Sequence, residues 1–156
     1  MARIYLSSSF CDLKVERAAV TAALRGAGHA VIAMEDYPTT QECPTERCRA
    51  DAQLSDVYLG LFARRYGHVP PGECLSITEI EYRAARAARR TTAISLLDDT
   101  VDWPAESSDR ATGEGRRGER IDGLRRELCA SHPVGFFSTT DELTAAAGAA
   151  VAEKRV

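Results

Sequence analysis

The sequence predicts a three-layer α/β domain with a flavodoxin-like parallel sheet of five strands, and three observations lead to this fold class. Short apolar runs alternate five times with longer segments of helical periodicity. One of these runs, residues 56–62, is apolar almost throughout, as expected of a central parallel strand covered on both faces. Right-handed crossovers and the usual strand order 2-1-3-4-5 then place the switch point of the sheet between strands one and three.

Each predicted strand is short and is followed by a predicted helix. The strands are expected at 2–7, 29–33, 56–62, 92–97 and 133–137, and the helices at 13–27, 45–54, 76–89, 119–130 and 140–154. We expect Asp12 to cap the first helix and Gly28 to end it. Residues 38–44 are predicted to form a loop. Residues 98–118 contain almost no apolar side chains, so they are predicted to form a flexible loop or a lid within one domain spanning 1–156.

The composition and charge of the chain limit which partners, cellular location and metal sites we expect. The 156 residues carry a net charge of −3, which gives no electrostatic reason to expect nucleic acid or an anionic membrane as a partner. No apolar run is long enough to span a bilayer and no signal sequence opens the chain, so we expect a cytoplasmic protein. The five cysteines match no zinc pattern, which predicts reduced thiols and no metal site.

The loops after strands one and three are expected to frame a ligand site, because open α/β sheets bind ligands beside the carboxyl ends of their strands at the switch point. The serines after strand one can cradle a phosphate or a ribose near a helix N-terminus. Tyr66, after strand three, can stack on a base or can instead anchor its own loop. The residues predicted to line this site are Ser7, Ser8, Ser9, Phe10, Arg65, Tyr66, Gly67, Ser76 and Thr78.

Glu81 is the candidate catalytic residue. On the helical wheel of residues 76–89 it lies about 60° from the centre of the apolar stripe, whereas Glu79 is predicted to point towards solvent. A carboxylate at the margin of a buried face breaks the binary pattern, as functional residues often do. Glu81 can bond a sugar hydroxyl, act as a nucleophile or stabilise an oxocarbenium-like transition state. The alternative is a structural ion pair with Arg17 or Arg65.

Arg17 lies within the apolar stripe of the first predicted helix. A buried charge without a partner is costly, so Arg17 requires one. A structural ion pair that fixes the helix to the sheet and a role in binding an anionic substrate are both consistent with the pattern.

Three common motifs are missing from the sequence: the G-x-G-x-x-G fingerprint, the P-loop and the G-x-S-x-G elbow. Their absence argues against a Rossmann dehydrogenase, a P-loop NTPase and an α/β-hydrolase.

A set of motifs covers nearly the whole chain. These are Ile4 to Leu13 with Glu16-Arg17, Met34-Glu35, Asp56 to Gly60 with Arg65 to Gly67, Ser76 to Tyr82 with Ala85, Leu124 to Leu128, His132-Pro133 and Phe136-Phe137. Together they resemble an uncharacterised domain family found mostly at the N-termini of STAND/NACHT-type NTPases and of TPR- and WD40-repeat proteins.

The resemblance implies a relationship to TIR domains and to nucleoside 2-deoxyribosyltransferases, which are flavodoxin-like folds. Their enzymatic members cleave N-glycosidic bonds in NAD or in nucleosides with a glutamate on the helix after the third strand. The Glu-x-x-x-Ala spacing of that helix matches Glu81 and Ala85 and does not fit Glu79. The resemblance therefore implies Glu81 as the catalytic carboxylate, with Asp12, Arg17 and Glu35 as supporting polar groups.

Two functions are consistent with the sequence. The first is a TIR-like N-glycosidase, an NADase or a nucleoside or nucleotide N-glycosyl transferase, which binds its nucleotide as substrate and needs no cofactor or metal. The second is a non-catalytic TIR-like signalling module that self-associates or docks onto a protein partner. In that case the polar residues are structural, which the lack of an unambiguous acid/base pair favours.

Overall fold

The computed structural model describes residues 1–36, 45–112 and 115–153. Their five parallel strands form one sheet in the order β2-β1-β3-β4-β5. The strands are β1 (Arg3–Ser7), β2 (Ala30–Ile32), β3 (Val57–Phe62), β4 (Thr91–Leu97) and β5 (Val134–Phe137). The flavodoxin-like α/β class and the predicted strand order are both confirmed.

Helices cover both faces of the sheet and complete the three layers. The described residues form α1 (Lys14–Gly26), α2 (Thr45–Leu54), α3 (Ile77–Ala87), α4 (Asp109–Thr112), α5 (Arg117–Ser131) and α6 (Thr140–Glu153). One apolar core joins α1 and α6 to the sheet, and a second core, rich in tyrosine, joins the sheet to α2, α3 and α5.

The alternation of β1 decides which of its side chains face the future site. Ile4 and Leu6 pack into the core beneath α1 and α6, while Tyr5 belongs to the opposite core. Since side chains alternate along a strand, Ser7 lies on the same face as Tyr5 and is turned towards α3. A hydroxyl-bearing face of β1 is thereby opposed to Glu81.

Helix α1 begins differently from the prediction and ends as predicted. Leu13 is its N-cap residue and no side chain caps it, so the prediction that Asp12 caps the helix is wrong. Both carboxylate oxygens of Asp12 are instead buried, away from the helix N-cap position. Gly28 follows the helix with a φ of 91°, a backbone conformation that favours glycine, which confirms the predicted end.

The segment expected to be a loop, 98–118, contains regular structure. A 3-10 turn (Ala105–Ser107) and α4 lie within it, and α5 begins at Arg117 rather than at Glu119. The physical reason is Asp109, which is buried and accepts a hydrogen bond from the Tyr66 backbone, so the segment is attached to the loop after β3. The predicted loop 38–44, residues 113–114 and the last residue of the predicted final helix lie outside the described residues.

The cysteines differ in oxidation state. Cys11, Cys74 and Cys129 are free, whereas Cys48 at the start of α2 is disulfide-bonded, so the expectation of reduced thiols is wrong at that position. Sequence spacing does not reveal whether two sulfur atoms come within bonding distance, which is why the disulfide was not predicted. No helix in the described part of the chain is long and apolar enough to cross a membrane.

Candidate functional site

A cavity of about 610 Å³ opens where the chain leaves β1 and β3. This is the switch point of the sheet, as predicted. Seven of the residues predicted from sequence line it: Ser8, Ser9, Phe10, Asp12, Arg65, Gly67 and Thr78. The structure therefore brings the loop after β1, the loop after β3 and the N-terminus of α3 together around one space.

Six predicted residues do not line the cavity: Ser7, Arg17, Glu35, Tyr66, Ser76 and Glu81. The lining residues that were not identified from sequence include His68, Asp109 and Arg117. Asp109 and Arg117 were missed because they belong to the segment assigned to a loop. The Ser107-Ser108-Asp109 run was the available signal, since such residues typically begin helices.

Glu81 is buried between α3 and the sheet, with 6% of its surface exposed. Ser7 Oγ donates a hydrogen bond to its Oε1 at 2.7 Å, and the Tyr5 hydroxyl donates one to its Oε2. Burial raises the pKa of Glu81 to about 7, although the two hydrogen bonds and the charge of Arg17 oppose the rise. The carboxyl group is therefore poised between its acid and its ionised form near neutral pH.

The alternative expectation, a direct ion pair between Glu81 and Arg17 or Arg65, is wrong. Arg17 is occupied elsewhere: its Nε donates to Glu35 Oε1 at 2.6 Å and its Nη1 to Ser8 Oγ at 2.7 Å. The side chain of Arg17 is only 2% exposed, so this pair supplies the partner that the sequence required. Burial would raise the pKa of Glu35, but the hydrogen bond and charge of Arg17 lower it below the ordinary value.

Glu35→Gln is expected to lower the free energy of unfolding by about 2 kcal/mol, because it leaves the buried guanidinium of Arg17 without a charged partner. The estimate is reduced for the partial exposure of Glu35. The matched control is Glu46→Gln, which removes the exposed pair with Arg49 and is expected to cost about 0.5 kcal/mol. Urea unfolding at pH 7 measures both, and equal losses would contradict the structural role assigned to Arg17.

Tyr66 anchors its loop. It is fully buried, its hydroxyl donates to Glu79 Oε1 at 2.8 Å, and the Ser76 backbone N–H donates to that hydroxyl at 3.2 Å. Ser76 in turn caps α3 by accepting from the Glu79 backbone. Of the two roles open to Tyr66, the structure favours the anchoring one, and it places Gly67 at the cavity wall beside Thr78.

The prediction that Glu79 faces solvent is wrong, since it is 8% exposed and bonded to Tyr66 and Arg83. The helical wheel identifies the side of α3 that packs on the sheet. It does not show that the loop after β3 covers another side of the same helix.

Two buried carboxylates lie on the cavity wall beside Arg65. Neither oxygen of Asp12 has a hydrogen bond of ordinary geometry, and burial raises its pKa, partly offset by Ser9 and by the charge of Arg65. Asp109 Oδ2 accepts from the Tyr66 backbone at 2.6 Å, and its Oδ1 lies 3.9 Å from Arg65 Nε. The wall thus offers both a cation and acceptors for hydroxyl or amino groups.

A metal centre is not formed by the residues that the structure describes, because no three of their His, Cys, Asp or Glu side chains are grouped closely enough to hold an ion.

Comparison with family models gives a match over residues 3–152 to the family described as Domain of unknown function (DUF4062). The chain belongs to this family. Among solved structures, the CMP N-glycosidase BcmB of Clostridium botulinum is similar, with a TM-score of 0.51 and 16% sequence identity over 92% of this chain and 96% of that one. At this identity the likeness shows a shared fold. A comparison with curated proteins gave no match.

The DUF4062 domain therefore combines a flavodoxin-like fold, which is similar to that of BcmB, with a buried carboxylate beside the switch-point cavity. Glu81 itself does not line that cavity. It lies one helical turn beyond Ile77 and Thr78, which do, and it is bonded to Ser7, the neighbour of the lining residue Ser8.

Proposed function

We propose that this DUF4062 domain is an N-glycoside hydrolase or transferase that acts on a nucleotide, NAD included, with Glu81 as its catalytic carboxylate. One observation carries the proposal: a buried carboxylate lies one helical turn beyond the cavity residues Ile77 and Thr78, accepts hydrogen bonds from two hydroxyls and has a pKa of about 7. A carboxylate that only forms a structural ion pair has no need of a raised pKa. Carboxylates with strongly shifted pKa values are concentrated at active sites. The fold shared with a CMP N-glycosidase is consistent with this chemistry.

The reaction requires an ionised carboxylate near the anomeric carbon of the sugar. As the C1′–N bond breaks, the base leaves with the electron pair and positive charge develops on the sugar. Glu81 either stabilises that charge or bonds to C1′. Water, or another acceptor in a transfer reaction, then supplies the oxygen or nitrogen that bonds to C1′. Where Glu81 has bonded to C1′, that C1′–O bond breaks in this step and its electron pair returns to the carboxylate. The proton lost by the acceptor goes to the departing base or, when nicotinamide leaves as a neutral molecule, to solvent.

The cavity wall supplies groups suited to the rest of a nucleotide. Arg65 and Arg117 are cations that suit a phosphate, while Asp12 and Asp109 are acceptors that suit sugar hydroxyls or the amino group of a base. Phe10 offers an aromatic face. We infer that the phosphate lies towards the arginines and the anomeric carbon towards Ser8 and Thr78.

A second candidate function has its own observation. Glu81 is buried and does not line the cavity, so catalysis requires neighbouring residues to move when substrate binds. A sealed carboxylate favours a non-catalytic module that binds a nucleotide or a signalling partner and does not cleave it.

The test is release of free base from a panel comprising CMP, the other nucleoside monophosphates, the nucleosides and NAD, analysed by liquid chromatography at pH 8. The proposal predicts release from at least one nucleotide. Thermal shift with the same compounds is run in parallel, because a ligand that binds the native state raises its stability. A nucleotide that stabilises the protein and is recovered intact would overturn catalysis and favour the binding module.

A further inference from the structure

The hydroxyl of Tyr58 is a buried polar group that the function described above does not use. Tyr58 is the second residue of β3, is 0% exposed and has no hydrogen bond of ordinary geometry among the described residues. Leaving a buried hydroxyl unpaired is costly, and most buried polar side chains avoid it. A phenylalanine would pack in the same place without this cost, so the hydroxyl calls for an explanation.

The sheet directs this hydroxyl towards the Glu81 pocket. Tyr58 is the register partner of Tyr5 on the neighbouring strand, and Ser7 is the partner of Gly60. Because register partners in a parallel pair share a face, Tyr5, Ser7 and Tyr58 all lie beneath α3. A Cβ on Gly60 would lie 2.9 Å from the Tyr58 ring, so only glycine at this position lets the ring lie beside Ser7. The ring of Tyr82 packs on Tyr58 with the centroids 5.9 Å apart, which limits its movement.

We propose that Tyr58 is a positioning residue for Glu81 and acts through Ser7. The Ser7 hydroxyl has one proton, which it donates to Glu81, so its oxygen is free to accept from Tyr58. A small rotation that brings Tyr58 O–H onto Ser7 Oγ completes the chain from Tyr58 through Ser7 to Glu81. Donors in such a chain polarise one another, so Tyr58 makes Ser7 a stronger donor and favours the ionised form of Glu81. This inference rests on the catalytic role proposed for Glu81.

The groups that act on Glu81 come from three other elements. Tyr5 and Ser7 belong to β1, Tyr58 to β3 and the charged Arg17 to α1. Burial raises the pKa of Tyr58 well above its ordinary value, Ser7 opposes the rise and the charge of Glu81 adds to it. Tyr58 therefore keeps its proton near neutral pH, so its hydroxyl can donate to Ser7.

Tyr58→Phe tests the proposal by a readout that does not require activity. The pKa of Glu81 is followed by NMR of the carboxyl carbon in protein labelled with ¹³C-glutamate, assigned by its loss in Glu81→Gln. We expect the variant to raise this pKa by about half a pH unit, and to move the acidic limb of any base-release profile by the same amount. Thermal unfolding verifies that the variant is folded, since phenylalanine fills the same place and only one hydroxyl is lost.

Two further variants separate this role from packing. Tyr82→Phe removes a neighbouring hydroxyl that bonds His132 and Arg86, so it is expected to leave the Glu81 titration unchanged. In a Ser7→Ala background, Tyr58→Phe is expected to have no further effect, since the connecting residue is gone. An unchanged Glu81 pKa in Tyr58→Phe, or an equal shift in the Ser7→Ala background, would overturn the proposal. If base release fails while the titration shifts, the proposed function is wrong and the positioning role stands.

Discussion

Glu81→Gln is expected to lower the rate of base release about a thousandfold or more, the largest effect of any single substitution in this domain. Glutamine has nearly the same shape and can still accept hydrogen bonds from Tyr5 and Ser7 through its carbonyl oxygen. What it lacks is the negative charge that stabilises the developing cation on the sugar. A thousandfold loss corresponds to about 4 kcal/mol of transition-state stabilisation.

The control for this experiment is Glu127→Gln. Glu127 is a carboxylate on α5 that is bonded to Arg83 and lies away from the cavity. Turnover by this variant is expected within about twofold of the wild type, and thermal unfolding of both variants verifies that they are folded. Equal turnover by the Glu81→Gln variant and the wild type would show that Glu81 takes no part in the reaction.

The second large effect is on stability as a function of pH. The pKa of Glu81 is about 7 in the folded protein, against 4.5 for the same group in water. A pKa raised by folding means that the native state holds the proton more tightly than the unfolded chain. The contribution is therefore fully present below about pH 4.5 and is lost as the pH rises towards 7. A difference of this size corresponds to about 3 kcal/mol.

Glu81→Gln should abolish that loss, because glutamine does not titrate. The wild type is expected to lose about 3 kcal/mol relative to the variant between pH 4.5 and pH 8, measured by urea unfolding at both pH values. The comparison is made between the two proteins because Glu35, whose pKa is lowered by Arg17, contributes with the opposite sign in both. Parallel stability curves would show that Glu81 is solvated rather than buried.

Much of the fold could be predicted from sequence because it depends on local periodicity and general rules of connection. The apolar run at 56–62 became β3, which is buried along its whole length, and it lies at the centre of the predicted order. Gly28 follows the end of α1 with a positive φ, a backbone conformation that favours glycine and that depends only on the local sequence. Glu81 was found as a break in the binary pattern of α3, and its burial agrees with that interpretation.

The parts that were missed depend on contacts between segments distant in sequence. Glu79 is buried because Tyr66 folds over α3, which no pattern within the helix reveals. Asp109 reaches the cavity because α4 attaches to the loop after β3, although its surrounding segment has the composition of a loop. Asp12 fits the pattern of a helix cap, yet it lies on the cavity wall. Local propensity yields to tertiary packing in each case.

The catalytic role of Glu81 is tested most directly by a crystal structure of the Glu81→Gln variant bound to an intact nucleotide that the wild type cleaves. The nucleotide is expected to occupy the cavity, between Ser9, Arg65 and Thr78. Its anomeric carbon should lie against the substituted side chain, with Ser8 and Thr78 displaced to admit it. A nucleotide bound with its anomeric carbon away from position 81, or outside this cavity, would contradict the catalytic role of Glu81.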